Sequence, residues 1–117
     1  MAESKEFLTV KHCSSALNTA LRSIDADTVF FLNNEGFISN SLCDQVLDPT
    51  AILSKEQKAI LLVTSIRDRI EVSAQEYHKL VGHLSQNRRQ YGSIVDNLNI
   101  EYSRLEGTGK HQLLYIR

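Results

Sequence analysis

Four histidines and two cysteines are the side chains of this chain most able to do chemistry, by holding a metal or by thiol nucleophilic attack. Their spacing favours neither. His78 and His83 lie five apart in one helical pattern, about 140° around the axis, so they do not converge on an ion. The i+4 position that would share a metal with His78 is Gly82. His12 adjoins Cys13, and neighbouring helical residues diverge by about 100°. A Cys–His pair would need His78, His83 or His111 carried to Cys13 or Cys43 by the fold, whereas a reduced Cys in an apolar pattern is commonly a small buried hydrophobe. Asp25 and Asp27 stand at a helix start, where capping accounts for them without acid–base work. Gly107-Thr108-Gly109-Lys110 lacks the length and strand–helix setting of a phosphate-cradling loop. Arg88, Arg89 and Tyr91 form a small basic–aromatic cluster, which is poor support for nucleic-acid binding in a chain of net charge −1. The expectation is a protein that is not an enzyme, with no catalytic residues, metal, cofactor, small-molecule substrate or nucleic-acid partner.

Charge is the stronger candidate for function. Residues 1–58 hold 5 basic and 8 acidic residues, a net of −3, and residues 59–117 hold 8 and 6, a net of +2. Lys11 and Arg22 are three helical turns apart, as are Lys58 and Arg69, with Lys55 one turn before Lys58. These five make an expected basic partner-binding patch. Asp25, Asp27, Glu35, Asp44 and Asp48 make an expected acidic one. If both lie on one molecule, the contact is heterologous, and repeated copies build an open helical array. The plainer alternative is solvated helix faces, of which Arg67 and Glu71, spaced as an i,i+4 pair, are an example.

The elements that must position these charges are helices. Val10, Cys13, Leu17, Ala20, Leu21 and Ile24 make one stripe of a first helix over residues 5 to 23, with Ser4 as a cap. Asp25 or Asp27 caps a second, short helix through Asn34, and Gly36 with Phe37 suits a Schellman end. Ser39 opens a third helix striped by Leu42, Cys43, Val46 and Leu47, which Asp48-Pro49 stops. Ser54 and Gln57 form a capping box before a fourth helix with Ala59, Leu62, Val63, Ile66 and Ile70 inward. Ser73 and Glu76 are a second such box, before Tyr77, Leu80, Val81 and Leu84. After the polar break Asn87-Arg88-Arg89-Gln90, a sixth helix carries Tyr91, Ile94, Val95, Leu98, Tyr102 and Leu105, and Gly107-Thr108-Gly109 is expected to end it. The reading is an all-α, antiparallel six-helix bundle over residues 1–106 with an apolar tail, 107–117, centred on Leu113 to Ile116.

Three stretches resemble the caspase recruitment domain (CARD) of the death-fold superfamily. Asn33-Asn34-Glu35-Gly36-Phe37-Ile38-Ser39 is similar to the family's junction between its second and third helices. Leu53-Ser54-Lys55-Glu56-Gln57-Lys58-Ala59-Ile60-Leu61-Leu62 is similar to the start of its fourth helix, and Tyr77-His78-Lys79-Leu80-Val81-Gly82-His83-Leu84 to its fifth. The resemblance covers roughly residues 8 to 102. It implies a Greek-key bundle and homotypic protein–protein interaction in cytosolic cell-death or innate-immune assembly. In such domains a basic surface on the first and fourth helices meets an acidic one on the second and third of a neighbour, so the implied partner is another CARD-like domain or a second copy. The competing readings are a helical adaptor binding an unrelated partner, for instance through the tail, and a small Cys-dependent enzyme.

The bulk properties agree with a cytoplasmic protein. The first six residues are too polar for a secretory signal. The longest aliphatic run, Ala59 to Val63, is far short of the ~20 residues that span a bilayer. Two cysteines are too few for a disulfide scaffold.

Overall fold

The computed structural model describes the backbone of residues 3–116 and the side chains of residues 3–107. Every regular element among them is a helix: α1 (Lys5–His12), α2 (Ser14–Leu21), α3 (Ala26–Asn34), α4 (Asn40–Leu47), α5 (Lys55–Val72), α6 (Glu76–Ser85) and α7 (Arg88–Ile116). Among the described residues the fold is all-α, with seven helices where the apolar pattern suggested six.

The extra helix comes from a break at Cys13, whose φ of −96° and ψ of 11° lie in the bridge region rather than the helical one. Beside it, Ser14 Oγ donates to the Val10 carbonyl at 2.9 Å, a side-chain-to-backbone bond of the kind that bends helices. The expected rod over residues 5 to 23 is therefore two rods. Lys11 lies in α1 and Arg22 just past the end of α2.

Most other ends follow local chemistry. Asp25 accepts from the Thr28 N–H at 3.2 Å and caps α3. At its far end Gly36 has φ 80°, the Phe37 N–H reaches the Leu32 carbonyl at 2.8 Å and the Gly36 N–H reaches Asn33, the two bonds of a Schellman end. Ser39 caps α4 through the Leu42 N–H, and Asp48 turns extended ahead of Pro49. The box of Ser54 and Gln57 is fully formed.

Two expected ends are not found. Ser73 and Glu76 make no capping box: Ser73 closes α5, Gln75 precedes α6 without a side-chain cap bond, and the Glu76 carboxylate turns to cations instead. Nor does Gly107-Thr108-Gly109 stop the last helix, since α7 continues to Ile116. A glycine weakens a helix interior by about 1 kcal/mol but, unlike proline, leaves its hydrogen bonds possible. The side chains of the expected tail, Leu113 to Ile116, lie outside the described residues.

The core runs through α5. Its inward stripe, Ala59, Leu62, Val63, Ile66 and Ile70, is wholly buried, as are Leu17, Leu32, Leu84 and Leu98 from four other helices. Each such aliphatic contributes roughly 1.5–3 kcal/mol through burial. α5 packs on α1, α2, α4 and α6; α7 packs on α1, α2 and α6; and α3 packs on α4 and α6. Among the described residues no helix is long and apolar enough to cross a membrane.

Candidate functional site

The packing disperses the five basic residues. Lys11 sits on α1, with Nζ 3.8 Å from Glu3. Lys58 is half-buried and donates to the carbonyls of Val46 and Asp48 at 3.3 and 3.2 Å, capping the C-terminal end of α4. Arg69, four turns along α5 from Lys55, donates from Nη2 to Glu76 at 3.3 Å and lies against Gly36. Arg22 and Lys55 are brought together, because both act on the same carboxylate. Glu56 is held below the usual carboxylate range first by its own backbone N–H, then by Ser54 and by the nearby charges of Arg22 and Lys55.

Arg67 was expected to pair with Glu71. No ion pair joins the two, and Arg67 Nε is buried without a hydrogen-bond partner among the described residues. The signal that could have found it is its register: Glu56, Ile60 and Arg67 are four and seven apart and share one stripe of α5. α2, which ends beside Arg22, packs on the same helix. Arg22 stands at the end of α2, and Lys55 and Arg67 lie on α5 about 18 Å apart along its axis and about 120° apart around it.

The acidic residues divide in the same way. Asp25 is taken by the α3 cap. Glu35 pairs with Lys79 at 3.5 Å. Asp48 Oδ1 accepts from Thr50 N and Oγ1 at 2.8 and 2.7 Å, and these bonds hold its carboxyl below the usual range. Asp27 in the first turn of α3 and Asp44 on α4 are exposed and without an ion-pair partner among the described residues.

One polar network escaped sequence reasoning. The Tyr91 hydroxyl and the Thr28 hydroxyl both donate to Asp25 Oδ1, the latter at 2.6 Å, and His83 Nε2 lies 3.0 Å from Thr28 Oγ1. Thr28 has a single hydroxyl hydrogen. The shorter bond to the carboxylate takes it, so His83 donates from Nε2. The imidazole also stacks on Phe31 at 4.1 Å. An Asp–Thr–His arrangement invites comparison with a catalytic triad, but Thr28 is only 1% exposed and has no route to a substrate. The network latches α3 to α6 and α7. Residues 25, 28, 83 and 91 show no spacing that would have announced it.

The other described histidines also serve contacts between helices. His12 Nδ1 lies 2.7 Å from Glu101, and His78 Nε2 lies 3.3 Å from Glu6, which also accepts from Tyr102. His78 and His83 therefore face different partners, as their spacing predicts. Among the described residues no three His, Cys, Asp or Glu side chains gather as a metal site. Cys13 Sγ approaches the Asn97 carbonyl at 3.7 Å, and Cys43 is buried in the core. Burial pushes both thiols above their ordinary pKa. Neither should outpace a free cysteine with iodoacetamide at pH 7.5; a thiol alkylated many times faster would restore the nucleophile hypothesis.

What this surface can do chemically is attract and orient a charged partner. No protein-family model, curated protein or solved structure matches the chain.

Proposed function

We propose that this chain is a CARD-like module of the death-fold, Greek-key type, joining like domains in cytosolic cell-death or innate-immune assemblies. One observation carries the reading. α3 and α4 carry acidic charges and no Lys or Arg, with Asp27 and Asp44 outside any ion pair among the described residues, whereas the cations without one include Arg22 at the end of α2 and Lys55 and Arg67 on α5, where Glu56, Asp68 and Glu71 also stand. The order of packing supports it: α3 packs on α4 and α6, and α1 packs on both α5 and α7. Two unlike surfaces on one molecule suit a heterologous contact that repeats from copy to copy. The charges would act mainly on encounter rate and orientation.

Light scattering tests the proposal. Arg22→Glu with Lys55→Glu makes both surfaces acidic and should abolish self-association while leaving the circular dichroism unchanged. Asp27→Lys with Asp44→Lys makes both surfaces basic and should do the same. Mixing the two variants should restore association, because each then meets its opposite. Raising salt from about 0.05 to 0.5 M should weaken the wild-type contact, as the Debye length shrinks from about 14 to 4 Å. If the first variant associates like wild type, this surface is not the interface.

A further inference from the structure

An exposed aromatic ring stands on the acidic face of the molecule. From Ser23 to Ser54 the chain has no Lys, Arg or His and holds five carboxylates. The lysines that packing brings to this stretch are engaged, Lys79 with Glu35 and Glu76, and Lys58 with the carbonyls of Val46 and Asp48. Phe30 of α3 is 50% exposed. Its neighbour Phe31, about 100° around the helix, stacks on His83. Phe30 itself has no ring or cation against it among the described residues.

Register sets what borders that ring. Asn33 Nδ2 donates to Asn40 Oδ1 at 2.9 Å and ties one edge of α3 to one edge of α4, beside the turn at Gly36. Phe30 is one turn back from Asn33, Asp44 is one turn on from Asn40, and each step leads away from the turn by about 5 Å. Phe30 and Asp44 therefore stand at about the same height above the turn, on the edges that face each other. Asp27, a further turn back along α3, borders Phe30 on its other side. Both carboxylates are exposed and without an ion-pair partner among the described residues.

We infer that the like domain docking on α3 and α4 does so through an arginine, its guanidinium laid on the Phe30 ring between Asp27 and Asp44. That the occupant is a like domain rests on the function proposed above; that it presents an arginine rests on this face. An aliphatic anchor on Phe30 would bury the two aspartates without a counter-charge, which is costly. A lysine ammonium would supply the charge, but it is compact and strongly hydrated. A guanidinium is flat, stacks on aromatic faces and carries donors along its edges, so it serves the ring and both carboxylates at once.

Fluorescence anisotropy at low salt, with labelled oligo-arginine and oligo-lysine peptides of equal length, tests this seat without self-association. Wild type should bind the arginine peptide about threefold more tightly than the lysine one. Phe30→Leu, which stays apolar but loses the ring, should bring the two to equal affinity. Asp27→Asn with Asp44→Asn should weaken both peptides by about tenfold or more. Asp68→Asn with Glu71→Gln removes two exposed carboxylates from α5 and should change neither. Equal wild-type affinity for the two peptides, or undiminished selectivity in Phe30→Leu, overturns the arginine seat. A loss in the α5 variant as large as that at Asp27 and Asp44 shows attraction by net charge and overturns it too. The function proposed above is decided separately, by light scattering with no peptide present. A chain that selects arginine yet stays monomeric at every concentration keeps the seat and overturns self-association. One that associates, is dispersed by the Arg22 and Lys55 reversal and shows no selectivity does the reverse.

Discussion

Arg69→Glu is expected to lower the thermal midpoint by on the order of 10 °C, with no partner present. Glu76 is the reason. Its side chain is 9% exposed, its Oε1 accepts from Arg69 at 3.3 Å and Lys79 at 3.5 Å, and its Oε2 is buried without a hydrogen-bond partner among the described residues. Breaking a buried pair by removing one member costs about 3–5 kcal/mol, because the other charge is left without its counter-ion. Lys79 remains to help, and Arg69 is itself 36% exposed, so the loss falls to about 2–3 kcal/mol. Each kcal/mol is worth about 4–8 °C in a domain near this size. A calorimetric scan checks the figure, with Arg69→Lys expected to recover part of the loss by keeping the charge. An unchanged midpoint for Arg69→Glu would show that the pair contributes nothing. This result also bears on function. Loss of assembly in an Arg69 variant would report unfolding, so Arg22 and Lys55, exposed and away from the core, are the sites at which to test a docking surface.

The second large effect is expected at Asp25. Asp25→Ala removes the α3 cap, about 1 kcal/mol, and leaves the hydroxyl hydrogen of Tyr91, a residue 1% exposed, without its acceptor, for about another 1–3 kcal/mol, although the hydroxyl oxygen still accepts from the backbone N–H of residue 25. A destabilisation of about 3 kcal/mol in urea denaturation follows, and a loss below about 0.5 kcal/mol would refute the latch between α3, α6 and α7. Its pH dependence is also set. Burial by itself would raise the Asp25 carboxyl, but the hydroxyls of Thr28 and Tyr91 and backbone N–H bonds outweigh it and hold the pKa below the ordinary value. A carboxyl lowered by folding contributes stability above its unfolded pKa, near 4, and loses it as pH falls through the folded value. The advantage of wild type over Asp25→Asn should be flat from about pH 5 to 8 and shrink below about pH 4. An advantage that persists unchanged at about pH 2 would mean that the ionised carboxylate is not what holds the latch.

These two residues show how the charged surface was and was not legible. Asp25 and Arg69 have the residue types and positions expected of docking charges, yet each is taken up by a partner from elsewhere in the fold. Tyr91 is 66 positions from Asp25, and Glu76 is seven from Arg69 across the turn between α5 and α6. Arg67 erred the other way. Its i,i+4 partner was written in the sequence, but no ion pair joins the two, and Arg67 Nε is buried without a hydrogen-bond partner among the described residues.

The helical class, the buried stripe of α5 and the ends at Gly36, Ser39, Asp48 and Ser54 were readable from residue order alone, while the cap of α3 was narrowed to Asp25 or Asp27. Each depends on apolar periodicity or on a cap bond spanning no more than about five residues, and such interactions form whatever the rest of the chain does. The break at Cys13, the lost box at Ser73 and the passage of α7 through Gly107 were decided in three dimensions. So was the choice of which charges remain for a partner: an ion pair needs two side chains within about 4 Å, and for residues on different helices only packing sets that distance.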